Sequence, residues 1–77
     1  MKNLFHNGKY MQAVEWTGVN VEEITSFVGD KLMKPHQCMG FTYLFIYTQD
    51  GIAQCNEGDF VAKDNEGNFY VISENNE

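Results

Sequence analysis

Apolar and polar positions alternate along most of this chain and fall into a helical rhythm only once. Residues 10–17, Tyr-Met-Gln-Ala-Val-Glu-Trp-Thr, are rich in strand-forming types and stop at Gly18. A strand there puts Val14 and Trp16 on one face and Ala13 and Glu15 on the other. Val21, Ile24, Phe27 and Val28 then recur at spacings of three and four, the apolar stripe of a helix. Asn20 suits the N-cap and Glu23 its capping-box partner, while Val19 and Ile24 take the two positions of a hydrophobic staple. Gly29 is placed to end the helix after about nine residues, and Glu22 and Glu23 in its first turn favour the positive end of the dipole.

Beyond the helix the period returns to two. Residues 41–48, Phe-Thr-Tyr-Leu-Phe-Ile-Tyr-Thr, form a strong strand, and Asp50-Gly51 is the pair that a type I′ hairpin holds at positive φ. Residues 52–55 make the return strand. Gly58 and Gly67 mark turns before strands over 59–63 and 68–73. Residues 1–9 read as a leader whose Leu4 and Phe5 are free to dock on the core. Residues 30–40, with Pro35, have to cross from the helix to the next strand, and residues 74–77 read as a frayed acidic tail. The expectation is a single α+β domain over residues 1–77. It has a small antiparallel sheet of about four to five strands, one α-helix packed on one face, and the order β-α-β-β-β-β.

One strand gives this arrangement a functional consequence. Phe41, Tyr43, Phe45 and Tyr47 share one face of the 41–48 strand, and Leu44 and Ile46 share the other with Thr42 and Thr48. Both faces are apolar, yet a single short helix covers only one. The second face has to lie under the leader, curl round on itself, or meet another chain.

Charge narrows the choice of partner. The net charge of -6 is unevenly placed: residues 1–49 hold four acids (Glu15, Glu22, Glu23, Asp30) against four lysines (Lys2, Lys9, Lys31, Lys34). From Asp50 onward seven acids face Lys63 alone. With no arginine and scattered lysines, direct binding to nucleic acid is not expected, and a protein with a basic surface is the natural partner. No run of seven or more apolar residues follows Lys2, and nothing approaches the roughly 18 residues of a membrane span. The expected location is therefore the cytoplasm, with Cys38 and Cys55 reduced.

Candidate chemistry changes little. His6, His36, Cys38 and Cys55 lack the paired clamps that make a zinc motif, so no metal or other cofactor is expected. No local motif supports a cysteine nucleophile, no glycine loop precedes a helix to cradle phosphate, and no enzymatic activity is expected. Asp59 after Gly58 reads first as a turn cap and Trp16 as the largest core filler. The candidate partner-binding residues are Tyr43, Phe45 and Tyr47 on the aromatic face, with Asp59, Asp64, Glu66 and Tyr70 in the acidic C-terminal strands.

Ala13-Val14-Glu15-Trp16-Thr17-Gly18 with Asn20, Glu23-Ile24 with Phe27-Val28-Gly29, Gly58-Asp59-Phe60-Val61 with Lys63, and Gly67-Asn68-Phe69-Tyr70 follow in a definite order. In that order and spacing the chain resembles a family of small phage and prophage accessory proteins without an established activity. Two departures stand out. Members usually carry a basic, proline-containing lead-in where this chain has Gly8-Lys9-Tyr10-Met11, and they usually continue past the Phe-Tyr pair, so the last strand here is expected to be an exposed edge. The resemblance implies an origin and transfers no catalytic residues. It implies a protein that binds a host protein, anti-defence roles such as inhibition of a CRISPR effector included. The alternative is a structural phage component that forms a homo-oligomer through its aromatic face.

Overall fold

A computed structural model describes residues 2–6, 8–33 and 35–73. The strands are β1 (Lys2–His6), β2 (Lys9–Glu15), β3 (His36–Cys38), β4 (Phe41–Thr48), β5 (Gly51–Cys55), β6 (Phe60–Lys63) and β7 (Phe69–Ile72). The helix α1 (Val21–Val28) follows β2 and runs into a 3₁₀ turn, Gly29–Lys31. The class is α+β, as the periodicity predicts, with the strands divided between two antiparallel sheets. One has the order β1-β2-β6-β7 and the other β3-β4-β5. The leader is thus a strand, with Leu4 opposite Met11 and Phe5 opposite Tyr10. β7 is an edge of its sheet; the tail predicted over residues 74–77 lies outside the described residues.

The helix starts after Asn20, but not by the expected bonds. The Asn20 side chain turns back, its Oδ1 accepting from the Thr17 amide at 2.9 Å and the Thr17 hydroxyl at 3.0 Å. Its Nδ2 donates to the Glu15 carbonyl and to Glu23 Oε1, both at 2.8 Å. Glu23 therefore meets a side-chain amide rather than a backbone N–H. Val19, predicted as half of a staple, is 88% exposed. The stripe itself behaves as its spacing requires, for Ile24, Phe27 and Val28 are buried.

The main core lies where helix and both sheets meet: Val14, Trp16, Val61 and Phe69 from the larger sheet, Leu44, Ile46 and Cys55 from the smaller, and the helix stripe between them. Trp16, fully buried, joins the parts. Its amide donates to the Asp59 carbonyl at 2.9 Å, its carbonyl accepts from the Gly58 amide at 2.7 Å, and its indole Nε1 donates to the Thr42 carbonyl at 2.9 Å.

The far face of the larger sheet has no helix over it and covers itself. Met11, Ala13, Phe60 and Ala62 are buried there beneath Leu4, Tyr70 and Ile72. His6 on one edge strand and Tyr70 on the other have ring centroids only 6.0 Å apart. In a flat sheet those edges stand about 14 Å apart, three strand spacings, so this sheet curls inward. Lys2 Nζ completes the cover, 4.9 Å from the centre of the Phe60 ring.

Candidate functional site

The smaller sheet has two unlike faces. Leu44 and Ile46 on β4 point into the core with no exposed surface, opposite Cys55 and Ala53 of β5. On the outer face Phe41 is 56% exposed and Tyr47 45% exposed, with Tyr43 and Phe45 half-buried between them. β5 adds Ile52, opposite Tyr47 and 57% exposed. β3 adds His36, whose ring meets Phe45 edge to face at 5.2 Å. Of the three fates the sequence leaves open for this face, the leader is ruled out, since β1 pairs with β2 in the other sheet. The curling also happens in the other sheet. Among the described residues nothing covers the outer face of β3, β4 and β5.

The turns that frame this face differ from the expected ones. Gly51 has a positive φ of 115°, but it is the first residue of β5 and the central turn residues are Gln49 and Asp50, so Asp50-Gly51 does not make a type I′ turn. That geometry occurs instead between β3 and β4, within the segment over residues 30–40 that crosses from the helix. Met39 (φ 53°) and Gly40 (φ 86°) join Cys38 to its partner Phe41, and positive φ at both central residues is what type I′ demands. Met39 is 91% exposed at this tip.

Charge is nearly absent from the smaller sheet. Residues 35–56 contain one formally charged side chain, Asp50, in the β4–β5 turn. Glu57 stands at the opposite end, where its Oε2 accepts from the Thr42 amide at 3.1 Å. A shallow cleft of about 390 Å³ runs there between Phe41, Tyr43, Asn56 and Glu57. Glu57 also explains Gly18: with φ at 97°, a Cβ at Gly18 would sit 2.8 Å from the Glu57 carboxyl carbon.

The acidic candidates lie elsewhere and are mostly engaged. Asp59 Oδ2 accepts from the Asn56 amide at 3.0 Å and its own amide donates to the Asn56 carbonyl, so it caps the turn before β6. Asp64 is buried. Its Oδ1 accepts from the Glu66 and Asn68 amides, both at 2.9 Å. Its Oδ2 accepts from the Tyr70 hydroxyl at 3.2 Å and the Asn68 side chain at 3.3 Å, with Lys9 Nζ 3.9 Å away. Burial pushes the Asp64 carboxyl up, but these donors outweigh it and hold the group below the usual carboxylate range. Tyr70 moves the other way: burial and the hydrogen bond to Asp64 raise its hydroxyl. Glu66 alone of the three acids is exposed.

The remaining candidates do not converge. His6 is on β1 and His36 on β3, while Cys55 is a free thiol in the core. Burial first, and the Asp59 charge second, push that thiol up to about 12, so it stays protonated and inert. Among the described residues no group of three or more His, Cys, Asp or Glu is placed to hold a metal. No helix there is long and apolar enough to cross a membrane. The aromatic trio Tyr43, Phe45 and Tyr47 is one surface, and Asp59, Asp64, Glu66 and Tyr70 belong to the other sheet and its turns. Phe41, Ile52, His36 and Met39 complete the aromatic surface and are missing from the residues chosen by sequence. Counting across the Gln49-Asp50 turn would have placed Ile52 beside Tyr47. No family model, curated protein or solved structure matches this chain.

Proposed function

We propose that this chain is a small acidic accessory protein, phage- or prophage-encoded and non-enzymatic, that works by docking on a host protein with a basic surface. The anti-defence inhibitors that occupy a nucleic-acid-binding surface, such as that of a CRISPR effector, are the class it fits. One observation carries this reading: an uncovered sheet face of Phe41, Tyr43, Phe45, Tyr47 and Ile52, with Asp50 at one end and Glu57 at the other. Aromatic side chains give binding energy at low entropic cost, and acids at the margin steer a basic partner and set the register. Glu66, exposed on the β6–β7 turn, extends the negative field.

Affinity capture from the bacterial host with the wild-type chain and two variants tests it. A basic protein should be retained by the wild type and lost with Tyr47→Glu. With Asp50→Lys and Glu66→Lys together, retention should weaken and its salt dependence flatten. Equal retention by all three would remove the reading.

A further inference from the structure

The smaller sheet ends at β5, and the bonding of β4 fixes which way the β5 backbone faces. The Phe45 carbonyl accepts from the Met33 amide at 2.9 Å, on the side of β4 away from β5. Phe45 and its partner Gln54 are therefore a non-hydrogen-bonded pair, and Gln54 turns its N–H and C=O out from the sheet. Ile52, two residues back, does the same. Two donor–acceptor sets about 7 Å apart thus line an edge where, among the described residues, β5 pairs with β4 alone. The other edges are blunted. β3 is three residues long and follows Pro35, while β1, which carries Lys2, and β7 curl toward each other. β5, Gly51-Ile52-Ala53-Gln54-Cys55, is paired without a break and has no proline, no bulge and no charge.

We propose that β5 takes an extended segment of the partner protein as a fourth strand of this sheet. Donors and acceptors at that spacing select an extended backbone, and Ile52, 57% exposed, meets an apolar side chain of the added strand. Charge sets one end of the segment. Asp50, exposed where β5 begins, bonds the chain through its amide, which donates to Thr48 Oγ1 at 3.1 Å, and leaves its carboxylate to solvent. A lysine or arginine at that end of the segment completes the match. A second copy fits less well: setting Ile52 of each copy against Gln54 of the other puts each Asp50 opposite Asn56 of the other copy, next to its Glu57. The proposal rests on reading the neighbouring aromatic face as a docking surface and supplies the binding mode. Main-chain bonds along β5 hold the segment in register, and its side chains continue the outer face beside Tyr47 and Ile52.

Amide hydrogen exchange followed by NMR on the full chain tests it. In the free protein the Ile52 and Gln54 amides should exchange fast, while those of Ala53 and Cys55, bonded to β4, are protected. The probe is a synthetic peptide of alternating valine and threonine with a lysine at each end. At about ten times its dissociation constant it should slow the Ile52 and Gln54 amides about tenfold. Ile52→Pro and Gln54→Pro remove a donor from the free edge and none from the ladder, so each should abolish the slowing at the other site with an unchanged circular dichroism spectrum. The same peptide N-methylated at every valine and threonine should not bind, which keeps the test open if a proline variant fails to fold. No slowing by the probe overturns the proposal, and so does slowing that survives the proline variants or the methylation. Protection that appears without probe as the chain is concentrated would name a second copy as the occupant and overturn it too. A basic host protein captured equally by wild type and Gln54→Pro overturns the strand addition and leaves the host-partner reading standing. Capture of no host protein, with the probe still protecting both amides, would instead sink the host-partner reading and leave the strand-adding edge intact.

Discussion

The two sheets of this molecule solve the same problem in opposite ways. Each gives one face to the common core and has a second apolar face left over. The four-stranded sheet curls until His6 and Tyr70, on its opposite edges, meet at 6.0 Å and close over Ala13 and Ala62. The three-stranded sheet is too narrow to curl, and its second face stays open with Phe41, Tyr47 and Ile52 at the surface. Charge follows the same division. Lys2, Lys9 and Lys63 sit on the closed sheet, two of them over aromatic rings, while the open sheet has no lysine in its strands. An apolar face that is neither covered nor charged is the unusual one, and the proposed docking rests on it.

The largest test asks whether the two sheets are one folding unit. Trp16 is the only described residue that hydrogen-bonds to the β6 entry and, through its indole, to β4. Trp16→Ala removes a fully buried side chain and leaves the Thr42 carbonyl without its donor. The expected cost is about 3–5 kcal/mol, comparable with the whole stability of a small domain. Urea unfolding followed by circular dichroism should find the variant largely unfolded in buffer. A loss below about 1 kcal/mol would mean that each sheet holds its own core.

Much of this was legible in the chain, and the failures share a cause. The helix stripe, the two unlike faces of β4 and the role of Trp16 follow from local periodicity and side-chain size. Pairing across the chain does not: β2 takes β6 as its neighbour, with Ala13 opposite Ala62, and nothing local announces a partner that distant. The split into two sheets was hidden for the same reason. β1 was missed because Lys2 to His6 is only half-apolar and gains its shape from pairing with β2. At Asn20 the residue type was right and the bond wrong, since one side chain had both the helix and the Glu15 carbonyl within reach. The aromatic part of the candidate surface was readable from alternation alone. The acidic part was not, because counting carboxylates cannot tell a solvated Glu66 from an Asp64 enclosed by four donors.

Asp64 locks the closed sheet, tying the β6–β7 turn to Tyr70 and drawing Lys9 of the neighbouring hairpin toward it. Its carboxyl is held below the usual range in the folded state, so the sign follows directly. The stabilisation is complete above the unfolded value, about 3.9, and is lost as pH falls through the lower folded value. Acid titration of stability should therefore be steeper in the wild type than in Asp64→Asn over that interval. Tyr70→Phe should act at the other end, where the raised hydroxyl contributes below about pH 10 and the contribution disappears as pH rises through its folded value. An acid limb identical in wild type and Asp64→Asn would mean that the turn holds without the charge.

The open sheet yields the smallest change in stability and the sharpest contrast. Met39 takes a left-handed backbone, φ 53°, that an unbranched apolar side chain enters at a cost of about 1 kcal/mol. Its side chain is 91% exposed, so no burial within the chain offsets that cost. Asparagine accepts the same conformation with less strain, and Met39→Asn should raise stability by about 0.5 kcal/mol in thermal or urea unfolding. If Met39 belongs to the docking surface, the same variant should weaken association while the fold gains. Stability and binding then move in opposite directions, which is the pattern of strain retained for a contact outside the chain. A loss of stability would mean that the Met39 side chain packs within its own molecule, and the open face would then be smaller than it looks.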